Sequence, residues 1–183
     1  MGRKYAIRDQ EKFYFVTFTV IHWMDVFIRD EYREILIDSL KFCQQKKGLI
    51  IGAWCLMTNH AHLIIGTTGE MKLEDIIRDL KSFTSRHIRK VLENNPAESR
   101  KEWMLNAMKK AGVKKSNNKD FQFWQQHNHP VEMNSNEIVD SRISYIHQNP
   151  VKAGFVDEAR DWKYSSARDY EGEKGLIDLY FLY

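Results

Sequence analysis

Leu49-Ile50-Ile51-Gly52-Ala53-Trp54-Cys55-Leu56-Met57-Thr58-Asn59-His60-Ala61-His62-Leu63-Ile64-Ile65 holds two apolar runs separated by a polar pair. Leu49 to Met57 has the composition of a strand, Thr58-Asn59 is turn-like, and His60 to Ile65 returns as the hairpin partner. Side chains alternate across a strand, so His60 and His62 point one way while Ala61 and Leu63 point the other. Two imidazoles on one face can share a metal, and two His plus an oxygen donor leave positions open for water or phosphate. With seven His in the chain, an H-x-H pair alone proves little. A second pair, His127-Asn128-His129, runs into Pro130 in a polar stretch and reads as loop or strand end. The ordinary alternative for His60 and His62 is a pair of half-buried imidazoles at a strand start.

Outward from this hairpin the order is α+β. Phe13 to Val20 is aromatic and β-branched, as strands are, and Asp30 to Lys47 is an amphipathic helix closed by Gly48. Leu73 to Leu92 is a second helix, with Leu73, Ile76, Ile77, Leu80, Phe83, Ile88 and Leu92 as its apolar face. A third helix is expected from Glu98 to Ala111, ending at Gly112, and a short strand from Phe121 to Trp124. The strand-helix-strand-strand start predicts an antiparallel sheet with helices on one side. One domain over 1–183 is expected, with a basic helical insertion around 94–120.

A second segment supplies a nucleophile. Asn134-Ser135-Asn136-Glu137 offers capping residues, and Ile138, Val139, Ile143 and Ile146 carry a helical period up to a stop at Pro150. Tyr145 then lies near a helix C-terminus, with the Asn149 amide four residues on and on the same side if the helix persists. A free phenol titrates near pH 10, so unassisted only about one in a thousand is phenolate at neutral pH. A cation that polarises a phosphate would lower the barrier to attack and hold it in line. The phosphotyrosine bond so formed stays reactive toward a free 3′-OH, which makes the reaction strand transfer rather than hydrolysis. The ordinary alternative for Tyr145 is a core-edge aromatic.

Trp54-Cys55-Leu56-Met57-Thr58-Asn59-His60-Ala61-His62-Leu63-Ile64, followed by Tyr145-Ile146-His147-Gln148-Asn149-Pro150-Val151-Lys152-Ala153-Gly154-Phe155-Val156, resembles the single-tyrosine HUH transposases of the IS200-like superfamily. More closely it is similar to the REP-associated tyrosine transposases, which Trp162-Lys163-Tyr164-Ser165-Ser166-Ala167 also fits. The resemblance runs from Phe13 to about Ala167. It implies a ferredoxin-like or RRM-like sheet with the His strand at its centre, His60, His62 and Asn149 as ligands of Mg²⁺ or Mn²⁺, and Tyr145 as nucleophile. It also implies single-stranded or hairpin DNA as partner and a 5′-phosphotyrosine intermediate. The family has a bulkier residue where this chain has Ala61. The insertion-sequence branch has Gln where this chain has Asn149, which argues for the REP-associated branch and leaves Gln148 as a rival ligand.

At 183 residues, 43% hydrophobic and 29% charged, the composition is that of a soluble globular protein. No run is long enough to span a membrane, Met1 to Ala6 lacks an apolar leader, and Ala6 breaks the myristoylation pattern, so a bacterial cytosolic or nucleoid location is expected. Cys43 and Cys55 form neither a disulfide framework nor a zinc pattern and are expected to be core thiols. Net charge is only +3, but Lys72 to Asp120 holds thirteen Lys/Arg against seven Asp/Glu, a local excess that suits a polyanion. Lys81, Arg86, Arg89 and Lys90, with Ser82, Thr84 and Ser85, are the expected phosphate contacts. The alternative is a solvated helix face. Lys109-Lys110 and Lys114-Lys115, flanked by Asn117 and Asn118, suggest a mobile basic loop. Trp23, Trp103 and Trp124 could stack unpaired bases, although core burial is the commoner use of tryptophan. Asp25 and Glu132 are candidate extra carboxylates, but nothing in their context raises them above solvated surface charges.

Three functions fit. The first is a single-stranded DNA transesterase, acting as a monomer or a homodimer. The second is a nucleic-acid-binding module of the same fold without cleavage. The third is a metal-dependent phosphoesterase that uses water and leaves Tyr145 structural. No glycine-rich phosphate loop or dinucleotide fingerprint points to a metabolic enzyme.

Overall fold

A computed structural model describes residues 6–113 and 120–182. Strands β1 (Tyr14–Thr19), β2 (Leu49–Leu56), β3 (His60–Thr67) and β4 (Val131–Glu132) form one antiparallel sheet in the order β2-β3-β1-β4. Helices α1 (Asp30–Lys47), α2 (Leu73–Asn94), α3 (Lys101–Val113), α4 (Asn136–Lys152) and α5 (Ala167–Tyr170) complete the chain. The α+β fold and the interior place of the His strand agree with the sequence, as does the cap of α1 at Gly48, whose φ is +70°. Among the described residues no helix is long and apolar enough to cross a membrane. Lys114, Lys115, Asn117 and Asn118, the core of the expected basic loop, lie outside the described residues.

The expectation of helices on one side is corrected. Tyr14, Val16, Phe18, Ala61, Leu63 and Ile65 pack toward α1, α2 and α3, whereas Phe15, Ala53, Cys55 and Ile64 pack against Val139, Ile143 and Ile146 of α4. Continuous runs such as Leu63-Ile64-Ile65 are apolar on both faces, which a strand covered on both sides requires. A bulge between Ile51 and Ala53 adds a residue at Gly52. It shifts the alternation by one, so Trp54 and Leu56 stay on the α1 side while Cys55 lies on the α4 side opposite His62. Both cysteines are buried and free, and burial pushes the Cys55 thiol up to about 12.

Other boundaries move for identifiable reasons. Phe121 to Trp124 is not a strand: Trp124 makes a single bridge to Val20, and the fourth strand is Val131–Glu132, too short to show a period. The third helix begins at Lys101, not Glu98, whose buried carboxylate accepts from Arg29 Nε at 3.0 Å and Arg100 Nε at 2.9 Å. Those guanidinium bonds, Arg100 first, hold the Glu98 carboxyl down to about 2. Gly112 lies within α3, where a Cβ would come 2.4 Å from Phe121 Cα, so the glycine permits a close backbone approach rather than a stop. Phe83 is 47% exposed and stacks on His87; Thr84 takes the inward place and accepts from Trp124 Nε1 at 3.0 Å.

Helix α4 is the consequential correction. Ser135 caps it, and it runs through Pro150 to Lys152. It ends instead at Gly154, with φ +72°, where Phe155 N donates to Pro150 O at 2.9 Å and Gly154 N to Val151 O at 2.9 Å. These are the two bonds of a Schellman ending. Proline lacks only its own N–H, so its neighbours close the last turns around it. The helix therefore reaches Asn149 intact. The segment after it seals the free edge of β2: Leu56 N donates to Tyr164 O at 2.8 Å, Trp162 Nε1 to Leu56 O at 3.0 Å, and Ser165 bridges Cys55.

Candidate active site

Strand parity puts His60 and His62 on the sheet face that α4 covers, and α4 lays Tyr145 across them. The rings lie in a row, His60 to His62 at 4.6 Å and His62 to Tyr145 at 5.1 Å between centroids. Tyr145 Oη is 3.5 Å from His62 Nε2, at the limit of a hydrogen bond. One turn further on, the Asn149 side chain stands against His60. Four residues singled out in two distant segments are thus brought together. Gln148, the rival, is exposed on another side of the helix.

The hydrogen bonds behind the imidazoles fix which nitrogen faces the site. Asn59 Nδ2 donates to Asp25 Oδ1 at 2.8 Å, which turns Asn59 Oδ1 toward His60 Nδ1 at 2.7 Å. An oxygen there can only accept, so the His60 proton resides on Nδ1 and the Nε2 lone pair is free. His62 Nδ1 meets Thr17 Oγ1 at 2.9 Å, its register partner on β1; with Nδ1 donating, His62 Nε2 also presents a lone pair. Asn149 Nδ2 donates to Tyr145 O at 2.8 Å, which leaves its Oδ1 for the site. With both Nδ1 atoms protonated, three acceptor atoms converge, an arrangement that a shared cation would satisfy. No group of three or more His, Cys, Asp or Glu among the described residues is placed to hold a metal, and here the third donor is an amide.

Electrostatics agree with neutral imidazoles. Burial pushes His62 down to about 3, helped by the fields of His60 and Arg142. Burial also lowers His60, against the opposing influence of the Asn149 amide and the field of Asp25. Arg142 lies one turn before Tyr145, its guanidinium 4.9 Å over the Phe15 ring that stacks on His62. It sets a positive charge over the Phe15 ring that borders both His62 and Tyr145. Asp25, a candidate carboxylate from sequence, serves the site through Asn59, whereas Thr17, Asn59 and Arg142 are not singled out by the sequence; only the i−3 spacing of Arg142 from Tyr145 is a readable signal. Glu132 sits elsewhere, 3.5 Å from Tyr14 Oη.

The remaining candidates fall outside this cluster. His147 turns inward, 2.9 Å from Ser166 Oγ, and burial pushes it down to about 4. His127 and His129 are exposed, on a groove with Trp103 and Lys110. Lys81, Arg86, Arg89 and Lys90 lie on α2, across the sheet from α4. The Lys81 ammonium is taken up by Gln125 O at 2.6 Å and Asn128 Oδ1 at 2.7 Å, and burial lowers it to about 8. Arg89 pairs with Glu93 at 2.7 Å and covers Phe121. Arg86 and Lys90 remain exposed. Arg78, Lys81, Ser82, Ser85 and Arg86 form one wall of a groove of about 860 Å³ whose other wall is Asp120–Gln126 and Asn128.

A solved structure shares this architecture. A REP-associated tyrosine transposase bound to a REP hairpin superposes with a TM-score of 0.66 at 16% identity, over 100% of this chain and 94% of that one. A candidate transposase from Deinococcus radiodurans R1 aligns over 80% of this chain and 94% of its own at 18% identity, with a TM-score of 0.44. A search of curated proteins returns no match. Residues 13–107, which carry β1, the His hairpin and α2, match the family model described as IS200-like transposase. With more than half its length matched, the His pair on its expected strand and the fold of a tyrosine transposase around it, the chain belongs to the IS200-like transposase family.

Proposed function

We propose that this protein cleaves and rejoins single-stranded DNA beside hairpins, with Tyr145 as the nucleophile. The observation that carries the reading is the approach of Tyr145 Oη to 3.5 Å from His62 Nε2, beside His60 and Asn149. The donor set fits Mg²⁺ or Mn²⁺ held by His60 Nε2, His62 Nε2 and Asn149 Oδ1, with water or phosphate completing the shell. Such an ion would polarise the scissile phosphate, a contribution of several kcal/mol.

The chain's own groups do the rest. Tyr145 Oη attacks phosphorus, the bond to the 3′-oxygen breaks, and that oxygen leaves as a 3′-OH. The phenol proton passes to solvent, to which Tyr145 is 39% open. The 5′-phosphotyrosine keeps the energy of the broken bond, so a 3′-OH can reverse the step and join strands. Arg142 offsets charge that develops on the phosphate. The exposed Arg86, with Ser82 and Ser85 in the groove by α2, and Lys90 hold hairpin phosphates, and Lys81 builds the wall of that groove rather than reaching into it. The hairpin-bound REP-associated transposase of the same fold supports a hairpin as the partner here. Separate site, hairpin groove and neutral imidazoles all lie within one chain, which favours a monomer.

The test uses end-labelled hairpin oligonucleotides with Mn²⁺ or EDTA, resolved on denaturing gels. A Mn²⁺-dependent adduct retaining the label 3′ of the cut is expected. Binding without an adduct would instead leave a DNA-binding module, and cutting without one would make water the nucleophile. Thr17→Val gives a finer check, since it removes the partner of His62 Nδ1 while keeping a β-branched strand residue. Mn²⁺ affinity measured by titration calorimetry should fall by about 10–100-fold, with the melting temperature little changed. An unaltered affinity would exclude Thr17 as the residue that orients His62.

A further inference from the structure

Trp23 has no part in the chemistry above, yet its backbone is held in an unfavourable conformation to display it. His22 and Trp23 both have φ of +54°, in the left-handed region that non-glycine residues avoid. Two such residues in succession persist only where the surroundings over-determine them. Here they do: Val20 N donates to Asn59 O at 2.9 Å, Ile21 N to Phe123 O at 2.8 Å and Phe27 N to Thr58 O at 2.8 Å. Ile21, Met24, Val26 and Phe27 around the turn are buried, while the Trp23 indole is 58% exposed. A fold seeking only stability would turn the indole inward with its neighbours.

The place of display is specific. Trp23 meets His60 with ring centroids 5.5 Å apart and planes at 72°, so it extends the row of His60, His62 and Tyr145 at the same spacing. Perpendicular contact with one imidazole leaves an indole face open to solvent. A strand whose phosphate sits over the His pair and Tyr145 can run along this row. At 3.4 Å per stacked nucleotide, the indole lies within about five nucleotides of the attacked phosphate.

We propose that Trp23 is a stacking platform for an unpaired base flanking the scissile phosphate, and so sets the strand's position over Tyr145. The proposal rests on the DNA reading of the site. Stacking needs only a π-face, so this subsite tolerates any base and contributes register rather than sequence choice. The neighbouring carboxylate is already occupied, since Asp25 Oδ1 accepts from Thr58 Oγ1 at 2.6 Å and from Asn59. The indole therefore offers an apolar face beside groups that serve the site from behind.

The experiment compares fluorescent hairpin oligonucleotides that carry either a thymidine flank or an abasic flank of equal length. Anisotropy in EDTA reads binding alone, using the full chain as wild type, Trp23→Phe and Trp23→Leu. Wild type should prefer the thymidine flank by about tenfold, within the range for one stacked base. Trp23→Phe should keep most of that preference, and Trp23→Leu, which retains bulk without a π-face, should lose it. A preference that persists in Trp23→Leu at equal melting temperature would overturn the proposal while leaving the DNA reading intact. Wild type that binds neither oligonucleotide would remove the DNA reading and this proposal together. Should Trp23→Leu not fold, equal binding of both flanks by wild type would still refute it.

Discussion

Tyr145→Phe is expected to abolish the protein–DNA adduct and lower cleavage by at least about 10³-fold, while hairpin binding stays at the wild-type level. The substitution removes one hydroxyl and nothing else. The ring keeps its edge contacts, 5.9 Å to Phe15 and 5.1 Å to His62 between centroids. The lost hydroxyl makes only the long 3.5 Å approach to His62 Nε2 and is accessible to water, so no buried donor or acceptor is stranded. Stability should therefore change by no more than about 0.5 kcal/mol. Loss of chemistry without loss of binding or fold identifies the attacking atom. Cleavage that survives in Tyr145→Phe would transfer the attack to water and reduce Tyr145 to a packing residue.

Phe27→Ala should give the largest loss of stability near the site, about 3–5 kcal/mol, read as a fall in melting temperature on the order of 10 °C. Phe27 is fully buried, stacked on Trp124 at 5.7 Å and edge-on to Phe123 at 6.2 Å. Its truncation would open a cavity where the loop after β1 meets the 121–124 segment. The same residue ties two further elements through its backbone, its N–H donating to Thr58 O and its carbonyl accepting from Arg33 Nε at 2.6 Å. Loosening it should also slow cleavage, because the Thr58-Asn59 turn orients His60. A change below about 1 kcal/mol would show that the aromatic cluster yields without cost, and would separate the site's geometry from this part of the core.

The sequence carried the hairpin, the parity of the His pair, the first two long helices and the family. These rest on repeated signals: apolar alternation, helical period, a capping glycine, and a joint pattern in two segments. The structure adds what single residues do. Thr17 acts through strand register and Asn59 through its amide being turned by Asp25, and neither leaves a periodic trace. Pro150 was read as a stop because its own effect is disruptive, whereas Gly154 four residues later sets the end. Glu98 looked like a first-turn acid and is a buried anchor for two guanidiniums. The charge excess of Lys72 to Asp120 is legible, but not that Lys81 is drawn into the fold by Gln125 and Asn128. Nor could composition reveal that α2 and α4 would lie on opposite faces of the sheet.

Tyr145 follows His62 by 83 residues, and no part of the 13–107 region contains it. A ribosome adding about 5–20 residues per second needs on the order of 10 s to travel between them. During that interval the nascent chain can close its hairpin and set both imidazoles, yet it has no attacking oxygen. On the proposed mechanism, capacity to break DNA would arrive only when α4 emerges and docks, bringing Tyr145 and Asn149 on one rigid rod. On the proposed mechanism, products terminated before α4 would be unable to cut the chromosome from which they are expressed.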